Sequence, residues 1–173
     1  MRQTCTILLL CSGLLLIGAC DSTDTAMVVE DPMGELEEEE ESVIPSTMIM
    51  ILQGKSWAAI NVTAVTDRVN GLPILEITGM TALADELTIL FEGDIETRTY
   101  IVGNGRLVNI TFRDFGASQD QAFVATIAGT VTFTSISTMR LKGTFAFEAT
   151  RASDGQSITG KSGTFNVEIG DRQ

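Results

Sequence analysis

The chain contains no histidine at all. That removes Ser-His-Asp and Cys-His nucleophilic sites together with the commonest transition-metal ligand. One tryptophan and one tyrosine are thin material for sugar binding, which relies on exposed aromatic faces. Lys and Arg number 11 against 23 Asp and Glu, with no basic patch, so nucleic-acid phosphate is repelled and no nucleic-acid partner is expected. No apolar run reaches the roughly 20 residues that a transmembrane helix needs. No internal disulfide is available either, because two of the three cysteines, Cys5 and Cys11, lie in a segment that reads as removed. A domain so made must be held together by its core alone.

That removed segment, residues 1–19, has the parts of a secretory signal. Arg2 is a thin positive start, and Ile7–Ile17 is apolar except for Cys11, Ser12 and Gly13. Gly18 and Ala19 are the small residues that a signal peptidase accepts. Ile17-Gly18-Ala19-Cys20 resembles the lipobox of bacterial lipoproteins, with Ile17 in place of the usual Leu. The resemblance implies that Cys20 is acylated and becomes the first residue. The plainer alternative is a secreted protein cut near Ala19. At about 0.8 kcal/mol per buried CH₂, two or more acyl chains would hold the protein on a membrane. The expected location is the outer membrane, at its periplasmic face or at the cell surface.

Residues 20–46 read as a lipidated, disordered tether. Ten acidic residues fall there, five of them in the run Glu37–Glu41, and no Lys or Arg. Like charge at low hydrophobicity predicts disorder and extension. Of the net charge of −12, this stretch holds −10, while the 13 acidic and 10 basic residues of 47–173 leave only −3. Three roles fit the Glu run: a solvated spacer, a sorting signal, or a binder of cations or of a basic partner.

Residues 47–173 form the expected all-β domain. Thr, Val, Ile and Phe alternate with polar residues, and Gly, Asn and Asp punctuate them. Candidate strands are Met48–Leu52, Trp57–Ala64, Ile74–Gly79, Leu87–Glu92, Arg98–Val102 and Arg106–Phe112. Ala122–Ile127, Thr130–Ser135, Arg140–Thr150 and Thr164–Ile169 follow. The single helix candidate is Thr81–Glu86. Short strands at spacings near ten residues predict one antiparallel β-sandwich or partly closed β-barrel of about 8–10 strands, the alternative being a closed calycin-like barrel.

One internal echo stands out: Gly129-Thr130-Val131-Thr132-Phe133, Gly143-Thr144-Phe145-Ala146-Phe147 and Gly163-Thr164-Phe165-Asn166-Val167. Period-two alternation predicts successive strands of a meander, with Phe133, Phe145, Phe147, Phe165 and Val167 on one buried face. The opening Gln53–Trp57 (QGKSW) and the ending KGTFAFEA…SITGKSGTFNVEI are similar to a family of uncharacterised lipoproteins from Bacteroidetes. Gly54, Lys55, Trp57 and Ala59 match that family's opening hairpin. Gly143–Phe147 and Thr159–Val167 match its ending, with an insertion at Ser162-Gly163. Thr99–Ile101 and Ala128–Val131 are also similar, so the likeness spans residues 48–169. It implies an all-β domain on a lipid anchor, with no assigned activity and no functional residues to transfer.

Several motifs reduce to ordinary structure. Gly155–Ser162 spells the phosphate-loop pattern, but runs into a strand where that loop must open a helix. Asp114-Phe115-Gly116 has none of the partner motifs of a kinase. Asn61-Val62-Thr63 and Asn109-Ile110-Thr111 lie mid-strand, out of place for glycosylation. Glu92–Glu96 and Asp114–Asp120 are the densest oxygen clusters, without a calcium-loop signature. Trp57 either caps the core or offers a flat face to a ligand or partner. No catalytic residue, cofactor or metal site is expected, and the protein is read as non-enzymatic. Two functions remain: an accessory module docking onto an envelope protein through a sheet edge or loop patch, or a carrier of a small apolar ligand in a barrel pocket. The carrier reading is motivated by apolar residues on both faces of Leu87–Phe91 and Val108–Phe112.

Overall fold

The computed structural model describes residues 44–103 and 105–171; the signal segment, Cys20 and the Glu37–Glu41 run lie outside these. Ten strands follow one another: β1 (Thr47–Leu52), β2 (Lys55–Ala58), β3 (Asn61–Val69), β4 (Leu72–Met80), β5 (Glu86–Glu92), β6 (Thr99–Ile101), β7 (Val108–Arg113), β8 (Phe123–Ile136), β9 (Arg140–Arg151) and β10 (Ser157–Asp171). The all-β fold expected from period-two patterning is the one formed.

The long strands β8, β9 and β10 make the expected meander. Their length lets each outer member serve two neighbours. On its second edge β10 pairs β1 over Gly160–Asn166, then β3 over Ile169–Asp171. Likewise β8 pairs β7 at Phe123 and Val124, and β6 over Thr130–Thr132. Because β3, β4, β5 and β7 pair in series, the ladder β10-β3-β4-β5-β7-β8-β9 returns on itself. The β10–β3 contact is parallel, the one departure from an antiparallel fold among the ladders between these strands. It arises where β10 runs past the start of β1 and takes up the next open edge.

The interior explains the Gly-Thr-Phe echo. Gly143 of β9 lies between Phe133 of β8 and Phe165 of β10, while Phe147 lies between Gly129 and Gly160, and Phe145 faces Gly163. Gly143, Gly160 and Gly163 are each a socket for a neighbouring ring. A Cβ on Gly163 would sit 2.6 Å from the Phe145 ring, and one on Gly143 or Gly160 would overlap Phe165 or Phe147. The rings join into a chain: Phe91 and Tyr100 meet edge to face at 4.7 Å, both meet Phe133 at 5.9 Å, and Phe133 meets Phe165 at 5.6 Å. Phe133, Phe145, Phe147, Phe165 and Val167 are all buried, as expected.

Three local readings differ from the sequence pattern. The stretch Trp57–Ala64 is two strands, because the chain leaves β2 at Ala59-Ile60 to enter β3. The break shifts the inward phase from Trp57 to Val62 and Ala64, a one-residue slip of the kind that flips faces. Thr81–Glu86 turns instead of coiling, with Ala84 at φ 62° and the Thr81 hydroxyl accepting the Leu83 and Asp85 amides. The phosphate-loop letters fall on the β9–β10 turn and on a bulge in β10, where Lys161 and Ser162 together oppose Ala146. Ser162 carries the bulge at φ 52°.

Candidate interaction face

Six strands, in the order β2-β1-β10-β9-β8-β6, form one continuous layer. Its inward side is the aromatic core, and its outward side is built of rows set by register. One row reads Ala58, Ile49, Thr164, Thr144, Thr132, Thr99. Its neighbour reads Ser56, Ile51, Lys161, Ala146, Thr130, Ile101. Threonine suits an exposed pleat, and cross-strand Thr pairs hold neighbouring strands together; the Thr99 and Thr132 hydroxyls are 2.8 Å apart.

Apolar side chains interrupt this polar surface. Ile49, Ile51 and Ile101 are 51%, 42% and 60% exposed. Between them lies a shallow depression of about 250 Å³, floored by Ala128, Ala146 and the Gly129 and Gly160 backbone, with Glu148 and Lys161 at its rim. Its charges are sparse. On β9 the outward series runs Arg140, Lys142, Thr144, Ala146, Glu148, Thr150, with its two cations at one end and its one anion towards the other.

The second sheet surface is different. On β5 and β7 the side chains Leu87, Ile89, Phe91, Val108, Ile110 and Phe112 all point inward and are buried. Outward stand Thr88, Leu90, Asn109 and Thr111, so the alternation there is apolar in and largely polar out. A concavity of about 280 Å³ opens on this side. Arg113 grips Glu86 across it through two bonds of 2.9 Å, and Thr78 donates to Glu76.

Trp57 faces inward and is 6% exposed. It lies against Gly79 of the facing layer, so it caps the core and presents no open ring to a glycan. Its Nε1–H is buried without a hydrogen-bond partner. In each of the two oxygen clusters one carboxylate has a basic neighbour. Glu96 pairs with Arg98 at 3.4 Å, and Asp114 lies 3.9 Å from Arg151. No group of three or more carboxylates that could hold a metal occurs among the described residues. Near the β9–β10 turn, the Arg151 guanidinium and the Gln156 amide hold the Asp154 carboxyl below its ordinary value.

A family model described as a domain of unknown function, DUF6252, matches residues 47–167, well over half of the chain. The chain belongs to the DUF6252 family. No curated protein and no solved structure matches it. The DUF6252 match covers β1 through most of β10, including every strand of the six-stranded layer and the three isoleucines on its surface. It agrees with the expectation of an uncharacterised family over nearly the same span.

Sequence reasoning did not single out Ile49, Ile51 or Ile101. The signal was present in β1: Met48-Ile49-Met50-Ile51-Leu52 is apolar at both parities, which a one-sided strand has no need to be.

Proposed function

We propose that this DUF6252 chain is a lipid-anchored cell-envelope protein whose β domain is a non-enzymatic docking module. Cys20 is the anchor point, the acidic stretch to Ser46 is the leash, and the outer membrane is the location. The observation that carries the docking role is the outward face of the six-stranded layer, with Ile49, Ile51 and Ile101 exposed in a field of threonine. Exposed apolar groups ringed by polar ones mark interaction sites. The free edges are poor alternatives. β2 has four residues and β6 three, too short to template an added strand.

The largely polar outward side of β5 and β7 favours docking over the alternative, a carrier of a small apolar ligand. The test is chemical crosslinking on intact source cells followed by affinity isolation and mass spectrometry. Docking requires an envelope protein recovered at comparable abundance through residues beside Ile49 and Ile51. An apolar ligand travelling with the native protein, and no protein crosslinked, would reverse the choice. Cys20→Ala should move the protein into the soluble fraction; continued retention on the membrane would contradict the anchor.

A further inference from the structure

We propose that the concavity on the outward side of β4, β5 and β7 binds a neutral saccharide through one of its rings. The site shares no residue with the six-stranded face and does not rest on the docking reading. Register builds it. Glu86 stands beside Arg113, Thr88 stands between Thr78 and Thr111, and Leu90 stands between Glu76 and Asn109. Neighbours across strands are about 4.8 Å apart, and successive outward residues along a strand about 6.8 Å, a mesh on the scale of a sugar ring. All of these side chains are half-buried. One wall comes from the segment after β7, which brings Gln119 and Ala122 to the concavity. That segment is tied down by the Phe115 amide, which donates to the Asp85 carboxylate at 3.1 Å, and by the Ser118 amide, which donates to the Gln121 side chain at 3.2 Å. On the sheet itself, the Thr78 hydroxyl lies 3.4 Å from Glu76 and 3.5 Å from Thr88.

The lining decides the class of ligand. Glu76 and Glu86 set two carboxylates against the guanidinium of Arg113, so an anion is turned away. Leu90 and Ala122 are too little apolar surface for a lipid. A hard cation asks for several carboxylate oxygens, and Glu86 has given both of its own to Arg113 at 2.9 Å. What remains is a set of short, mixed donors and acceptors: the Thr88 and Thr111 hydroxyls, the Asn109 and Gln119 amides and the Glu76 carboxylate. A ring bearing hydroxyls in several directions satisfies both kinds at once, with its C–H face on Leu90. The volume of about 280 Å³ equals that of about nine waters, room for one ring and little more. None of the described lining residues is aromatic, so the stacking that strengthens sugar binding is missing. Weak binding follows, with a Kd of about 1–10 mM.

The experiment uses the full, isotope-labelled chain in a detergent without a sugar headgroup. Glucose, galactose, mannose and N-acetylglucosamine are each titrated while the backbone amide shifts are followed by NMR. At least one should move the Thr88, Asn109 and Thr111 amides and saturate with a Kd of about 1–10 mM. Asn109→Ala and Thr111→Val each delete a hydrogen-bonding group from the outward side. Each should weaken that sugar about three- to tenfold and leave the urea midpoint unchanged. Where either variant shifts the midpoint, Thr88→Val takes its place. Thr144→Val, on the six-stranded layer, should bind as the wild type does. No saturating shift with any of the four sugars overturns the inference, as do shifts that survive the variants or that centre on another surface. Glycerol moving the same amides equally at the same concentration overturns it too, because that response would be to bulk polyol and not to a ring. Either result leaves the docking reading to its own test.

Discussion

Replacing Gly143 with Ala inverts the usual sign of a glycine substitution in a strand. Its φ is not positive, so the conformation suits alanine. Stiffening the unfolded chain at a compatible site then stabilises by about 0.4–1 kcal/mol. The surroundings forbid it here. The new Cβ would overlap the Phe165 ring on one side and the Thr132 carbonyl oxygen on the other. The ring can turn only by disturbing Phe133 and Phe145, which it touches at 5.6 and 6.5 Å. The carbonyl belongs to the β8–β9 ladder and has nowhere to go. Overpacking of this kind costs about 1–3 kcal/mol, and two immovable neighbours put Gly143→Ala at the upper end, about 2–3 kcal/mol net. Urea unfolding of the full chain measures it. Gly170→Ala is the control, since a Cβ there meets only the Ala64 carbonyl at 3.7 Å; it should be neutral or slightly stabilising. Adding Phe165→Leu to Gly143→Ala should recover part of the loss, leaving the clash with Thr132. Gly143→Ala as stable as the wild type would refute the socket account of the Gly-Thr-Phe repeat.

Three further outcomes are expected. Phe145→Ala should lower stability by about 3–5 kcal/mol in urea melts, because the ring fills the Gly163 socket between Phe147 and Phe165. Trp57→Phe should cost less than about 1 kcal/mol, since deleting a buried donor without a partner offsets much of the lost contact, whereas Trp57→Ala should cost about 3–5 kcal/mol; equal losses would mean that the indole nitrogen is satisfied in solution. Asp154 should titrate below an ordinary aspartate in a carboxyl-detected NMR series, its depressed value set chiefly by Arg151. Its stabilising share is present above the unfolded-state pKa and is lost as pH falls through the folded one, and Arg151→Met should return the titration to the usual range.

The meander was legible because its signal is local and repeated. Gly129, Gly143 and Gly163 each precede a Thr and an alternating apolar pair, and the parity of those pairs sets which side is buried. The physical reason for the glycines was not legible, since it depends on register. Only the pairing of β8 with β9 and of β9 with β10 brings Phe133 and Phe165 to either side of Gly143. The closing of the ladder was equally hidden. It rests on β10 passing from β1 to β3, residues far apart in sequence. The bulge that sets the second half of β10 was visible as the Ser162-Gly163 insertion, but its cause, Ser162 at φ 52°, was not.

The candidate face was readable in principle from the pattern of β1. Two-sided apolarity implies that a strand's outer side meets something other than water. Applied to Leu87–Phe91 and Val108–Phe112, that rule pointed to a ligand cavity, yet those strands alternate cleanly once Leu90 is set aside. Applied to β1 it singles out the outward side, because Met48 and Met50 are buried while Ile49 and Ile51 stand half exposed on the other side. The difference lies in where a strand sits. Apolar side chains at both parities of a strand inside a closed ring would open onto a second interior layer. The same pattern on β1, next to the free edge strand β2, leaves Ile49 and Ile51 on the outward side, the surface that the proposed docking role would use. Ile49→Asn with Ile51→Asn therefore separates the two functions of the strand: the core beneath, made by the methionines, should keep its melting behaviour within about 1 kcal/mol, while association through the face should be lost.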